Sequence, residues 1–168
     1  MEGVLVNKRW LLIPVWSLAA ILSPVRAEGT DYPQIRWQGW GVRAGLASDP
    51  NQVVVGAQFP LGEWAPRVAF TPNIELGFGD HHTILSATAP AHYSFRTKTN
   101  IKPYVGGGVT LGYVDRDSRS SDFGVSLELM GGAEWELKNS KSFFLELNIP
   151  FSDFNDVQVL VGWNFQSL

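Results

Sequence analysis

The chain has 168 residues, enough for one domain, and 17% of them are charged against about 25% in an average soluble protein. Something other than water must therefore face much of its surface. It has no cysteine, which excludes a disulfide framework, a thiol nucleophile and a lipid-modified cysteine anchor, and its formal net charge of −3 argues against a nucleic-acid partner.

Lys8 and Arg9 precede an apolar run from Trp10 to Leu22, which is followed by Ser23, Pro24 and the tripeptide Val25-Arg26-Ala27. That is the layout of a cleaved secretory signal. As a membrane-spanning helix the run falls short of the roughly 20 residues required, and Pro14 interrupts it. Residues 1–27 are expected to be the signal peptide and residues 28–168 the mature domain, with ten basic and fifteen acidic side chains, a net of −5.

Beyond a polar leader, Glu28 to Gln34, the chain alternates with a period of two. Trp40, Val42, Ala44 and Leu46 oppose Gly41, Arg43 and Gly45; after the turn signal Ser48-Asp49-Pro50-Asn51, Val53, Val55, Ala57 and Phe59 oppose Val54, Gly56 and Gln58. Pro60 to Pro66 reads as a turn. A third strand follows, with Val68, Phe70, Ile74, Leu76 and Phe78 against Arg67, Thr71, Asn73, Glu75 and Gly77, and Pro72 is its weak point because proline cannot donate to a ladder. In the fourth, Leu85, Ala87, Ala89, Ala91, Tyr93 and Phe95 oppose Ser86, Thr88, His92, Ser94 and Arg96. In the fifth, Val105, Val109, Leu111 and Tyr113 oppose Lys102, Tyr104, Gly106, Gly108, Thr110 and Gly112.

The polar linker Asp115 to Asp122 leads to the longest alternation in the chain, Phe123 to Leu137. Phe123, Val125, Leu127, Leu129, Ala133, Trp135 and Leu137 share one parity, and Ser126, Glu128, Gly132, Glu134 and Glu136 the other. A 3.6-residue period would smear those glutamates around a helix axis, so this is a strand. The seventh and eighth strands carry Phe143, Leu145, Leu147, Ile149 and Phe151 against Glu146, Asn148 and Ser152, then Val157, Val159, Val161, Trp163 and Phe165 against Gln158, Gly162 and Asn164.

Eight strands of this kind close into a barrel, since an open sheet in hydrocarbon would leave backbone groups unpaired. The inward face is dominated by Gly, Ser, Thr and Asn, with Arg43, Arg67 and Lys102 set against Glu75, Glu128, Glu134, Glu136 and Glu146, a mixture suited to a narrow, filled lumen. Aromatics collect at strand ends. Trp40, Phe59, Phe70, Tyr93, Phe95, Trp135, Phe143, Trp163 and Phe165 line one rim, and Phe78, Tyr113, Phe123 and Phe151 the other, the two girdles of a transmembrane barrel. The expected fold is all-β: an eight-stranded antiparallel up-and-down transmembrane β-barrel over 28–168, preceded by a cleaved signal peptide. The soluble alternative is a periplasmic lipocalin-like carrier, whose polar face points outward.

This pattern, with its most familiar piece at Pro103-Tyr-Val-Gly-Gly-Gly-Val-Thr-Leu-Gly-Tyr113, resembles the small eight-stranded outer-membrane barrels of Gram-negative bacteria, of the OmpA transmembrane-domain and OmpX type. The family's chains commonly end on an aromatic residue, whereas here Phe165 is followed by Gln166, Ser167 and Leu168. The resemblance implies a monomer in the bacterial outer membrane, porin-like in architecture only. Its role would be structural and non-enzymatic, exposing short loops at the cell surface, with no cofactor. Its partners would be outer-membrane lipid, lipopolysaccharide and the outer-membrane assembly machinery.

Four features invite a chemical reading. His92-Tyr93-Ser94 resembles the His-x-Ser of outer-membrane lipid A deacylases, in which histidine would act as base for serine; no Asn follows Ser94, and Gly106 stands where a later Glu is expected. The expectation is a polar lumen pair, with no catalytic residue. Asp80-His81-His82 has adjacent histidines that point apart, which suits a loop tip better than a metal site. Asp115-Arg116-Asp117-Ser118-Arg119 begins like a calcium loop but lacks its glycine and distal glutamate. Gly106, Gly107 and Gly108 precede no helix and so fit a crowded barrel wall rather than a phosphate loop.

Overall fold

Period-two alternation produces strands almost throughout the computed structural model, which describes residues 32–48, 51–79, 82–116, 119–151 and 157–166. The signal peptide expected at 1–27, Asp80 and His81 lie outside the described residues. Among those described there are eleven strands: β1 (Gln34–Ile35), β2 (Gly39–Ser48), β3 (Gln52–Gln58), β4 (Gly62–Ala65), β5 (Val68–Phe70), β6 (Asn73–Gly79), β7 (His82–Ser94), β8 (Ile101–Arg116), β9 (Arg119–Leu137), β10 (Lys141–Phe151) and β11 (Val157–Gln166). Eight of them form the closed antiparallel circuit β2-β3-β6-β7-β8-β9-β10-β11, and β11 returns to β2 in a continuous ladder from Val157↔Ser48 to Gln166↔Gly39. Closure satisfies the backbone groups that an edge would leave bare.

The third expected strand is interrupted at Thr71-Pro72, yet its alignment with β7 does not shift: Phe70 pairs with Ala91 and Asn73 with Thr88. Pro72 has no N–H to give, but its carbonyl still accepts from the Phe59 amide at 2.8 Å. The turn expected at Pro60 to Pro66 is corrected. β4 prolongs β3 there and pairs with β5, so the hairpin reverses at Pro66-Arg67, where Arg67 takes a φ of 64°. β1 lies against β4, and the Arg36 and Gln38 amides donate to Leu61 and Pro60 carbonyls at 2.7 and 2.9 Å. The wall thus extends beyond the barrel, as a ribbon, at the end where β2 starts and β11 finishes.

The faces are inverted relative to a soluble protein. Leu129 is 53% exposed, whereas its neighbour Glu128 is 8% exposed, and the same alternation runs through β2, β7 and β10. At the terminal end the outward aromatics touch across strands, Trp40 with Phe165 at 4.8 Å and Phe143 with Trp135 at 5.6 Å and with Trp163 at 5.1 Å between ring centres, and Tyr93 touches Phe95, two residues on in the same chain segment, at 5.1 Å. At the loop end Tyr113 stands opposite Phe123, with Phe78 and Phe151 exposed at the same rim. Among the described residues no helix is long and apolar enough to cross a membrane; the strands are the candidate spans.

Inside, the packing changes along the axis. Ala47, Val54 and Leu160 form a buried apolar cluster toward the loop end, near Ile84 and Val114, which are buried and paired with one another across β7 and β8. The middle of the lumen is polar.

Candidate functional site

The lumen is organised on Arg43, which is 3% exposed at mid-β2. Its neighbours in register are glycines on both sides, Gly56 on β3 and Gly162 on β11. Each leaves a gap over which the long side chain reaches to the next strand. A Cβ at Gly56 would lie 2.9 Å from Glu75 Cγ, and one at Gly162 would lie 2.5 Å from Phe144 Cζ. Arg43 Nε approaches Glu75 Oε1 at 2.7 Å, close but off the hydrogen-bonding direction, and Nη2 donates to Glu146 Oε1 at 2.5 Å. Nη1 donates to Gln58 Oε1 at 3.2 Å, and Tyr104 donates its hydroxyl proton to Glu146 Oε2 at 2.8 Å. Charge-assisted bonds of this kind, in a low dielectric, make the cluster rigid and costly to break.

A second network sits toward the terminal end. Gln58 Nε2 donates to Asn164 Oδ1 at 2.6 Å, Asn164 Nδ2 donates to Glu134 Oε1 at 3.3 Å, and Ser142 also donates to Glu134. On the other side of Arg43, Thr110 donates to Glu128 Oε2 at 3.1 Å and shares a 2.8 Å bond with Thr88.

Two spaces flank the arginine cluster. A vestibule of about 380 Å³ reaches in from the terminal end, with Arg67, Arg96 and Lys102 among the residues toward its mouth and Arg43, Tyr104 and Glu146 deeper in. A chamber of about 30 Å³ lies beyond, between Glu75 and Glu128. They are distinct spaces, and the apolar cluster lies toward the loop end.

The expected balance of lumen charges is corrected. Arg67 donates to the Tyr93 hydroxyl at 3.1 Å on the hairpin tip, and Lys102 pairs with Glu136 at an exposed rim. Among the described residues, Arg43 is the one fully buried cation, against buried Glu75, Glu128 and Glu146. Inward parity places a residue on a face, but its height on the strand decides whether water reaches it.

His92 and Ser94 both face inward and line the vestibule. Among the described residues no hydrogen bond joins them. His92 Nδ1 is buried without a partner, and the ring lies 4.7 Å from that of Tyr104. Gly106 pairs directly with His92, and a Cβ there would meet His92 Cα and Cβ at 2.6 Å, so the position cannot carry an acid. His82 begins β7 opposite Gly79, and Asp115 and Arg116 end β8; residues 117 and 118 lie outside the described residues. Among the described residues, no group of three or more His, Asp or Glu is arranged for a metal. Met130, Phe144 and Leu160 are buried apolar residues on the polar parity, left unassigned by the sequence.

A closed eight-stranded circuit with an apolar exterior, two aromatic rims and an interior crossed by a buried polar network defines the fold class as that of the small outer-membrane barrels. The chain is similar in structure to Neisserial surface protein A, with a TM-score of 0.65 at 13% identity over 78% of this chain and 96% of that one. It is similar also to the N-terminal β-barrel domain of Pseudomonas aeruginosa OprF, at 0.61 and 13% over 79% and 100%, and to the outer membrane protein Ail of Yersinia pestis, at 0.50 and 12% over 77% and 99%. At these identities what is shared is the fold. No protein-family model and no curated protein matches the sequence.

Proposed function

We propose that this chain is a structural, non-enzymatic protein of the bacterial outer membrane, a monomeric barrel that spans the bilayer and exposes short loops at the cell surface. The observation that carries this reading is the pairing of an apolar exterior, capped by aromatic girdles, with a lumen stoppered at Arg43. The exterior suits lipid, and Arg43 with its partners occupies the lumen, which supports a barrel that does not conduct. At the loop end the strands are separated in sequence by residues 49–51, 80–81, 117–118 and 152–156. With both ends of the barrel circuit at the ribbon side, that side would be periplasmic, and the partners would be outer-membrane lipid, lipopolysaccharide and the assembly machinery. Residues 1–27 would direct export and be removed.

Lipid A mass spectra of cells with and without the protein test the non-enzymatic part. Identical acylation patterns are expected, because position 106 beside His92 has no room for an acid. Loss of an acyl chain that depends on His92 would replace this reading with the deacylase-like one.

A further inference from the structure

We propose that the chamber between Glu75 and Glu128 binds one small monovalent cation of the Na⁺ class. Glu128 lines the chamber and is 8% exposed; its Oε2 accepts from Thr110, but its Oε1 is buried with no hydrogen-bond partner. The remaining polar lining that matters is oxygen-bearing throughout: Glu75, Ser86, Ser126 and Gln158. Arg43 does not line the chamber, and its guanidinium is already engaged by Glu75, Glu146 and Gln58.

The charge count points the same way. Arg43 carries one positive charge against Glu75, Glu146 and Glu128, and Glu128 is the carboxylate it does not touch; in its ionised form Glu128 would be a buried charge that no side-chain cation meets, which is expensive to hold in a protein interior. Hydroxyl, amide and carboxylate oxygens are the ligands that hard cations take. About 30 Å³ accommodates a single small species, since about 10 to 15 Å³ already admits a water. A lining with one unpartnered carboxylate oxygen, its other carboxylate being held by Arg43, suits a singly charged ion.

The test is urea unfolding of the barrel refolded separately in detergent micelles containing NaCl or N-methylglucamine chloride at fixed ionic strength, with a chelator present throughout. Na⁺ is expected to raise the midpoint; above half-saturation, each tenfold rise in Na⁺ should lower the unfolding constant about tenfold. Glu128→Gln is expected to fold with a midpoint that no longer follows Na⁺. Ser126→Ala, which removes one neutral ligand, should raise the half-saturating concentration. A wild-type midpoint that is the same in both salts would mean that a water or a proton serves the chamber and would overturn the proposal. So would a Glu128→Gln barrel that responds to Na⁺ as the wild type does.

Discussion

Arg43 and Glu146 are 103 residues apart in sequence and meet at 2.5 Å across a strand that separates them. That strand is β11, and it contributes Gly162 at the crossing, in register with both Arg43 and Phe144. Removing the cation strands two buried carboxylates, so Arg43→Ala should cost about 3 to 5 kcal/mol of stability. Lys102→Ala breaks a pair at the exposed rim and should cost less than about 1 kcal/mol. Urea unfolding of the two refolded variants measures both, and comparable losses would show that Arg43 does not organise the lumen.

Gly162 carries its own prediction. An alanine methyl there would sit 2.5 Å from the Phe144 ring, with the Val42 carbonyl also in the way, and relief would have to come from the packed interior. Gly162→Ala should destabilise by about 1 to 3 kcal/mol. Gly131→Ala is the control, since its nearest neighbour would be the Tyr104 carbonyl oxygen at 3.9 Å; it should change stability by no more than about 0.5 kcal/mol.

Face was legible in the sequence and depth was not. The pleat sends alternate side chains to opposite sides, so a strand with one apolar parity has its register to the lipid decided at every position at once. That is why Arg43, Glu75 and Glu146 were placed inside correctly, and why both girdles could be assigned. Met130, Phe144 and Leu160 are apolar on the polar parity, and hydropathy alone sends them outward. The pleat overrides it, and they pack in the lumen. Height along the axis depends on strand stagger, which alternation does not encode, so Arg67 and Lys102 read as lumen charges although the wall has run out where they stand. β4 was hidden for another reason. Pro60 and Pro66 are turn signals taken singly, but Gly62 to Ala65 between them is held by strands on both sides.

Depth can be tested on the outside. Leu129 lies between the girdles and Leu137 at the end of β9 beyond Trp135, both on the lipid parity. Leu129→Arg should cost roughly 2 to 4 kcal/mol in a bilayer, and Leu137→Arg no more than about 1 kcal/mol. Equal penalties would place the hydrocarbon elsewhere. Ser126 is not a useful inward control for such a substitution, because it lines the 30 Å³ chamber and an arginine would not fit there.

The lumen should not conduct. Arg43 with its partners and the apolar cluster of Ala47, Val54 and Leu160 occupy the lumen side by side, with Leu160 in register with Glu146. Wild-type protein in planar bilayers should give no steady current, and Arg43→Ala should be leakier. Stable channels of one size from the wild type would make a small-solute pore the leading function.

The central claim is that the apolar face meets lipid in the outer membrane. Cell fractionation of the full-length chain, with an alkaline carbonate wash of the membranes, tests it most directly. The account predicts that the protein stays with the washed outer membranes; recovery in the soluble periplasmic fraction would contradict it and restore the lipocalin-like carrier.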